Sequence, residues 1–330
     1  MVSVIIPTYK RAQYIERAID SVLRQSYKDI ELIIVDDNNP NTSYRTDMEK
    51  IMEKYKDNNK VFYIKHETNK NGAAARNSGL KYAKGDYITF LDDDDFFLKN
   101  RIENLVKVLN TNKEYDCAYT NVIKINNNKI RNIIYARKSG NLQYETLMQN
   151  SFLGTGSNIF LRRKAIDELK QFDSSFFRYQ DLEFMVRFFR KFNIIAVNDF
   201  TVVKDEESRI NGSNPRVLYE MLNLFFKKYD DDIKKYDDFY NIYYTNYNRL
   251  YNKITDKEIK NEIKNKMLLM NLKPKIKIKN VVLNKLPISR NIISILRGKI
   301  LSKKIDSNIK NEIHQILKKE NNYEFEKSDI

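Results

Sequence analysis

The chain has 330 residues, 42% of them hydrophobic and 31% charged, which is enough for one large globular domain or two smaller ones. A single cysteine excludes an internal disulfide, and without a leader-like start or a run of roughly 18 apolar residues we expect no secretory signal, no spanning helix and a cytoplasmic protein. The net charge of +15 is uneven, because residues 214–330 hold 25 basic against 15 acidic side chains, so we expect an anionic partner at that end.

The first 110 residues alternate apolar segments with amphipathic ones. Strands are predicted at Val2–Ile6, Ile30–Asp37, Val61–Glu67 and Asp86–Asp93, and helices at Tyr14–Gln25, Thr46–Tyr55, Asn71–Gly85 and Asn100–Leu109. Strict alternation of strand and helix predicts right-handed crossovers and a parallel sheet. From about Tyr115 to Ser213 the pattern weakens into short strands and one helix near 181–192. Beyond Pro215 it is helical and polar.

Polar residues stand at three of the predicted strand ends. They are Pro7 and Thr8 after the first strand, Asp36 and Asp37 after the second, and Asp92 to Asp95 after the fourth. Because ligands of open α/β sheets bind beyond the carboxyl ends of the strands, we expect these groups to converge on one crevice. The turn after the first strand, PTYKRAQ, contains no glycine, which argues against a dinucleotide-binding Rossmann domain.

The run of four acids, Asp92 to Asp95, indicates a cation site. Adjacent carboxylates repel one another and raise their own pKa values unless a positive charge lies among them. Mg²⁺ and Mn²⁺ are held by carboxylates together with substrate phosphates, so the run suits a metal that binds a diphosphate. Asp95 either supports the other acids or caps the following helix. A solvated loop that only caps this helix is the alternative for the whole run.

Five segments, taken together, resemble the inverting family 2 glycosyltransferases: VSVIIPTYKR, ELIIVDD, NGAAARNSGL, GDYITFLDDDD and QDLEFMVRF. The resemblance covers about residues 1–213 and implies the GT-A fold, an α/β architecture with a Rossmann-like mixed sheet. Residues 1–110 would be the nucleotide-binding half and 111–213 the acceptor-binding half. Residues 214–330 lie outside the resemblance and are expected to form a basic helical extension.

The resemblance also implies a reaction. A sugar would move from a nucleotide-sugar donor, expected to be a UDP-sugar, to a growing lipid-linked glycan of the capsule, lipopolysaccharide or teichoic-acid type. Asp94 would be the direct ligand of Mn²⁺ or Mg²⁺, with Asp92 as a second ligand nearer the ribose. The implied donor-binding residues are Pro7, Thr8, Tyr9, Asp37, Asn69, Gly72, Arg76, Asp92 and Asp93.

Two of these assignments have structural alternatives. Asp37 would contact uracil, but an Asp before NNPN is also typical of a turn. Asn69, Gly72 and Arg76 surround a helix start, where free N–H groups and an arginine favour phosphate. An ordinary capped surface helix would have similar residues.

Asp181 is the expected catalytic base, because inverting transfer needs a carboxylate that takes the proton from the acceptor hydroxyl. Members of the family usually have Glu-Asp here, and this chain has Gln180-Asp181, which keeps the base and removes its acidic neighbour. A helix N-terminal acid that only stabilises the helix dipole is the alternative. Asn211 is the nearest match to a histidine that many relatives place near the metal. His66 and His314 have no metal-ligand spacing.

The C-terminal region suggests a surface role. Residues 271–305 combine clustered cations with Ile, Leu and Val, which suits either an anionic membrane, to which the enzyme would bind peripherally, or a solvated helical surface. Six tyrosines between residues 236 and 251 at helical spacing predict a packing face, with a headgroup contact or a homodimer seam as alternatives.

Two rival functions are weaker. A sugar-1-phosphate nucleotidyltransferase would need a glycine-rich basic turn after the first strand, which PTYKRAQY lacks. A nucleic-acid-binding protein would be strongly basic over its α/β domain as well, whereas residues 1–213 are only mildly basic and have acids at the expected crevice. We therefore expect no nucleic-acid partner.

Overall fold

The computed structural model describes residues 1–207, 214–270, 311–313 and 315. A mixed sheet of nine strands forms the centre of this described part, in the order β3-β2-β1-β4-β8-β6-β9-β5, with β7 paired to β6. The strands are β1 Val2–Thr8, β2 Ile30–Asp36, β3 Val61–Lys65, β4 Tyr87–Phe90, β5 Asp95–Phe97, β6 Cys117–Asn126, β7 Lys129–Ile134, β8 Phe160–Arg162 and β9 Ile194–Asp205.

The first four strands form the parallel half that the sequence predicts. β1 pairs in parallel with β2 and β4, and β2 pairs in parallel with β3. The central strands β1 and β2 are rich in Val, Ile and Leu and are buried along nearly their whole length, as expected for strands covered on both faces. The helices of this half are α1 Ala12–Leu23, α2 Ser43–Met52, α3 Gly72–Tyr82 and α4 Arg101–Thr111.

The second half of the sheet is mostly antiparallel. β8 pairs antiparallel with β4 and β6, and β5 pairs antiparallel with β9, whereas β6 and β9 run parallel. Its helices are α5 Gln143–Leu147, α6 Arg163–Leu169 and α7 Gln180–Phe188. The three-residue strand β5 was not predicted, and it places Asp95 opposite Lys204 of β9.

The C-terminal region is helical, as predicted, with α8 Pro215–Lys234, α9 Phe239–Lys253 and α10 Lys257–Leu269. These helices share one hydrophobic cluster with Leu147, Phe176 and Val186 of the sheet-containing part. The predicted tyrosine packing face is confirmed for Tyr243 and Tyr247, which are buried in that cluster, and is wrong for Tyr240, which is exposed.

No helix within the described ranges combines the length and hydropathy needed to cross a bilayer. Asn211, His314 and the basic stretch 271–305 lie outside the residues that the structure describes.

Candidate active site

Three strand ends meet at one edge of the sheet. Because β1 is parallel to both neighbours, the segments that follow β1, β2 and β4 leave the sheet on the same side. Thr8 lies opposite Asp36 in the register, and the amide of Asp37 donates to the Thr8 carbonyl over 2.9 Å. The three polar segments therefore lie at one edge of the sheet, and their convergence on one ligand stays a prediction.

The acids after β4 are packed closely. Asp92, Asp94 and Asp95 each offer a carboxylate oxygen, and these oxygens lie within 4.8 Å of one another. Burial, with the charge of Asp94 adding to it, raises the pKa of both Asp93 and Asp95 to about 7. Burial also disfavours ionisation of Asp92, but nearby Arg76 and Lys204 outweigh it and lower its pKa. Positive neighbours therefore favour the ionised form of Asp92, whereas burial and the nearby acids favour the protonated forms of Asp93 and Asp95.

Asp95 provides a test of whether these residues fit a metal. Its Oδ2 accepts hydrogen bonds from the hydroxyls of Thr155 and Ser157, each over 2.7 Å. Its Oδ1 is buried and accepts no hydrogen bond from any residue that the structure describes. A buried carboxylate oxygen without a partner is costly, and a hard divalent cation binds such an oxygen. The three carboxylates therefore fit Mg²⁺ or Mn²⁺, and Asp95 joins the predicted pair.

The alternative role of Asp95 as a helix cap is wrong. α4 begins at Arg101 and its N-cap position is occupied by Asn100, five residues beyond Asp95. Asp95 instead forms the first residue of β5 and is fully buried. The short strand fixes its carboxylate beside those of Asp92 and Asp94.

Three arginines contact the acid cluster, and one of them, Arg17, donates from Nη2 to the backbone carbonyl of Asp94 over 2.7 Å. Arg11 Nη1 lies 2.5 Å from Asp94 Oδ2 and 3.3 Å from Asp93 Oδ1, and Arg76 Nη2 lies 2.6 Å from Asp92 Oδ1. Arg76 is among the predicted donor-binding residues, whereas Arg11 is not; neither contact with the acids was predicted. The Arg11 side chain is 37% exposed, so it has room to move away from the acids.

Protein groups surround the Asp37 carboxylate on both oxygens. Its Oδ1 lies 2.7 Å from His66 Nδ1 and accepts the Lys70 amide over 2.8 Å. Its Oδ2 accepts the Asn69 side-chain amide over 2.7 Å and the Asn71 backbone amide over 2.9 Å. Asp37 thus anchors the loop between β3 and α3, and its contact with uracil stays a prediction. His66, for which no role was predicted, orients this acid.

Turn formation was the alternative role for Asp37. In the structure, the neighbouring residue Asp36 forms the turn. Its Oδ1 accepts the backbone amide of Asn38 over 2.9 Å, which closes an Asx turn. Its Oδ2 pairs with Arg45 Nε over 2.9 Å and accepts the Tyr63 hydroxyl over 2.5 Å. Asp36 is fully buried, so we assign it to the structure of the strand end.

The start of α3 is partly capped by the protein itself. Asn71 Oδ1 accepts the amides of Ala73 and Ala74, two of the N–H groups that we expected to be free. Gly72 is the first residue of the helix, and a Cβ there would lie 3.2 Å from Arg76 Nη1 and from Gln180 Oε1. Glycine therefore leaves room for the hydrogen bond of 2.8 Å between Arg76 and Gln180.

The first strand ends in an aromatic surface. Pro7 and Thr8 complete β1, and the Tyr9 ring that follows is partly exposed. Lys10 has a φ of 58°, and its Nζ lies 5.0 Å from the Tyr9 ring centroid and 5.2 Å from that of Tyr44. The exposed ring of Tyr44 was not predicted, because it lies in the first turn of α2, 35 residues from Tyr9 along the chain.

Asp181 lies in the same cavity as Arg76 and Asp92, two of the predicted donor-binding residues. A cavity of about 310 Å³ is lined by Asp181, Asp92, Arg76 and Lys204, among others. Asp181 is the second residue of α7, and its Oδ1 accepts only a local amide, that of Leu182 over 3.0 Å, among the hydrogen bonds of the described residues. Burial raises the pKa of Asp181, which is a property of carboxylates that act as bases.

The glycosyl transferase family 2 model matches residues 3–170. The chain belongs to this family. The matched residues run from β1 through α6 and include the acid cluster, whereas Asp181 and helices α8 to α10 lie beyond them. The resemblance seen in the sequence is confirmed.

Named relatives of this family 2 protein come from archaea and bacteria. It is 31% identical to an uncharacterised glycosyltransferase of Methanocaldococcus jannaschii over 57% of this chain and 64% of that protein. It is 31% identical to Escherichia coli WfgD, a UDP-Glc:alpha-D-GlcNAc-diphosphoundecaprenol beta-1,3-glucosyltransferase, over 60% of this chain and 73% of WfgD. The alignment thus spans slightly less than two thirds of the archaeal relative.

Solved structures resemble the fold. Residues 1–349 of Staphylococcus aureus TarS align with a TM-score of 0.56 at 20% identity, covering 76% of this chain and 72% of that one. The TarS complex with UDP-GlcNAc gives 0.53 at 18%, covering 79% and 70%. The mannosyltransferase PcManGT of Pyrobaculum calidifontis, bound to GDP-Man and Mn²⁺, gives 0.50 at 18%, covering 69% and 63%. The predicted GT-A fold with a helical C-terminal region is confirmed.

Proposed function

We propose that this family 2 protein is a metal-dependent inverting glycosyltransferase that moves a sugar from a UDP-sugar to a lipid-linked surface glycan. The observation that carries the proposal is the shared cavity, in which Asp92 and Arg76 lie beside Asp181. The reaction requires charged groups that hold the donor and a base that activates the acceptor. In this proposal Asp92 and Arg76 supply the charged groups and Asp181 supplies the base. Membership of the family favours glycosyl transfer over nucleotidyl transfer and over nucleic-acid binding.

The donor side would be organised by charge. Asp92, Asp94 and Asp95 would hold Mn²⁺ or Mg²⁺, which when bound neutralises charge on the diphosphate leaving group. Arg11 pairs with the Asp94 carboxylate, so a metal bound to Asp94 would compete with this contact, and we expect the guanidinium to move to a donor phosphate. WfgD and TarS are named with UDP-sugars, which supports a uridine donor here.

The acceptor side would be organised by Asp181. Its carboxylate takes the proton from the acceptor hydroxyl as that oxygen bonds to the anomeric carbon and the bond from carbon to the diphosphate oxygen breaks. Attack from the face opposite the leaving group inverts the anomeric centre. Gln180 meets Arg76 as a neutral amide, so the positive charge of Arg76 stays available to Asp92 and to the donor.

The acceptor proposal has support at the mouth of the cavity. Phe177 is 60% exposed there and could stack on a sugar ring, and Arg178 beside it is suited to a phosphate. WfgD acts on a sugar linked to diphosphoundecaprenol by its printed name. We extend that class of acceptor to this chain, with residues 271–305 docking on the anionic membrane. Protein truncated after about residue 270 should pellet less with anionic vesicles; undiminished pelleting would refute the docking.

A donor screen tests the proposal. The purified chain is incubated with Mn²⁺ and with UDP-Glc, UDP-GlcNAc, UDP-Gal or GDP-Man, and nucleoside diphosphate release is measured. We expect release from at least one UDP-sugar, its suppression by EDTA, and its loss in Asp94→Asn. Indifference of the wild-type protein to both metals and to every UDP-sugar, in turnover and in thermal stability, would overturn the proposal.

A further inference from the structure

The turn of α7 that carries Asp181 is attached to α8 on both sides. Tyr179 lies two residues before Asp181 and Glu183 lies two residues after it, and both contact residues of α8. α8 belongs to the C-terminal region, beyond the residues that the family model matches. Its contacts with α7 are therefore a feature of this chain that family membership alone does not describe.

Glu183 is the stronger of the two attachments. Its carboxylate is fully buried and accepts hydrogen bonds from Arg187 Nε over 2.8 Å and from Arg187 Nη2 over 2.9 Å. From α8 it receives Lys228 Nζ over 2.7 Å and the Tyr229 hydroxyl over 2.7 Å. Burial disfavours its ionisation, but these donors outweigh burial and lower the pKa of Glu183. The acid is held ionised by groups on two helices.

Tyr179 is the second attachment. Its φ of 63° and ψ of 21° are left-handed, a conformation that costs free energy in a residue with a side chain and persists only where the surroundings impose it. Its ring packs on Phe225 of α8, with the ring centroids 6.3 Å apart. Its carbonyl accepts the Glu183 amide over 2.7 Å, which closes the helical turn that contains Asp181.

α8 is itself distorted where it meets α7. Its backbone leaves helical geometry at Tyr229, with a φ of −115° and a ψ of 20°. This is the residue whose hydroxyl reaches Glu183, and its ring is fully buried. Kinks within helices have local causes, and here the kink coincides with the contact to the buried acid.

We propose that α8 positions the Asp181 carboxylate, with Tyr229 and Lys228 acting as positioning residues through Glu183. The inference rests on the proposed role of Asp181 as the base. A displacement of about 1 Å at a reacting group can cost on the order of 100-fold in rate, so a small tilt of α7 would be felt in turnover. The helical C-terminal region is then part of the catalytic unit.

The test compares two buried tyrosines of the same hydrophobic cluster. Tyr229→Phe removes the hydroxyl that bonds Glu183, while Tyr247→Phe removes one that bonds Asn223 within the C-terminal helices, over 2.8 Å. Both rings are fully buried, so the changes are matched in size and burial. Asp181→Asn is measured beside them, and Lys228→Met gives a second probe of Glu183 should Tyr229→Phe fold poorly.

Turnover is followed as Mn²⁺-dependent UDP release from UDP-GlcNAc or UDP-Glc, whichever the wild type uses faster, together with Tm and with calorimetric binding of UDP and Mn²⁺. We expect kcat to fall about tenfold in Tyr229→Phe and in Lys228→Met, with KM and UDP binding unchanged. Tyr247→Phe should keep wild-type kcat at a comparable Tm loss.

The outcomes separate the inference from the proposed function. Wild-type kcat in both Tyr229→Phe and Lys228→Met, or an equal loss in Tyr247→Phe that follows Tm, would overturn the positioning role. Wild-type kcat in Asp181→Asn would instead overturn the assignment of the base. A kcat loss confined to Asp181→Asn, Tyr229→Phe and Lys228→Met supports both.

Discussion

The crevice at the strand ends and the interface between α7 and α8 both bury carboxylates, but they neutralise them differently. At the crevice, one oxygen of Asp95 accepts no hydrogen bond from the described residues, and burial raises the pKa of Asp93 and Asp95 to about 7. At the interface, donors from Arg187 and Lys228 hold the pKa of Glu183 below its usual range despite burial.

Asp232 of α8 follows the interface pattern. It is almost fully buried, and Arg190 Nη2 lies 2.5 Å and Lys235 Nζ 3.0 Å from its carboxylate oxygens. Burial disfavours its ionisation, but these cations lower its pKa. Acids whose charge is balanced by the protein fix one helix against another. An acid with a buried oxygen that accepts no hydrogen bond from the described residues, such as Asp95, is suited to a cation that arrives with the substrate.

The largest effect is expected at the crevice. Asp94→Asn removes the charge of the proposed metal ligand, and the loss of charge stabilisation on the leaving diphosphate should lower kcat/KM by about 100-fold or more. Asp86→Asn changes an exposed acid outside the cavity and serves as the control. Steady-state UDP release measures both. Equal rates in the two variants would remove the distinction between crevice acids and ordinary surface acids.

At the interface between α7 and α8, removal of the Glu183 charge should lower the stability of the protein. Glu183→Gln leaves Arg187 and Lys228 without their shared acid, and we expect the free energy of unfolding to fall by about 2 kcal/mol, a value reduced because Lys228 is about one third exposed. Urea unfolding measures it. Because the folded pKa of Glu183 is depressed, its contribution is present above the ordinary value of 4.5 and is lost as pH falls through the folded pKa. A variant as stable as the wild type at pH 7 would contradict this.

Removal of the charge at Asp95 should raise the free energy of unfolding, whereas removal of the charge at Glu183 should lower it. Asp95→Asn removes a charge that burial and the nearby acids disfavour more strongly than Lys204 favours it, so metal-free protein in EDTA should gain about 1 kcal/mol in stability. Addition of Mn²⁺ with UDP should then raise the Tm of the wild type and leave that of the variant nearly unchanged. A destabilised variant in EDTA would show that the crevice acids are balanced after all.

The smallest expected effect is a shift of the acid limb of the kcat/KM profile toward higher pH. Asp181 must be ionised to accept a proton, so kcat/KM should rise with pH through its pKa. Because burial raises that pKa, the midpoint of the acid limb should lie above the ordinary value of 3.8. The profile is measured over the range in which circular dichroism reports folded protein. A midpoint at or below the ordinary value would contradict the environment assigned to Asp181.

Much of the crevice could be predicted from the sequence because its residues follow strands of strong apolar pattern. β1, β2 and β4 begin where predicted or within one residue, and parallel pairing then brings Thr8, Asp37 and Asp92 to one edge. β5 escaped prediction because three residues carry no periodic signal. Arg11 escaped because its partners are acids more than 80 residues away along the chain.

The interface could not be predicted for a similar reason. The spacing of Glu183 and Arg187 allows a local ion pair, but Lys228 and Tyr229 approach only through the packing of α8 on α7. The left-handed backbone of Tyr179 has no sequence signal either, since tyrosine is not typical of that conformation. Sequence patterns locate strand ends well, and they do not identify the tertiary partners of a buried charge.

The central claim is that the crevice acids bind a divalent ion together with a uridine diphosphate. Calorimetric titration of UDP into wild-type protein and into Asp94→Asn, each with Mn²⁺ and with EDTA, tests it most directly. We expect binding by the wild type with Mn²⁺ and little or none in the other three conditions. UDP binding of equal affinity in EDTA, or in Asp94→Asn with Mn²⁺, would contradict it.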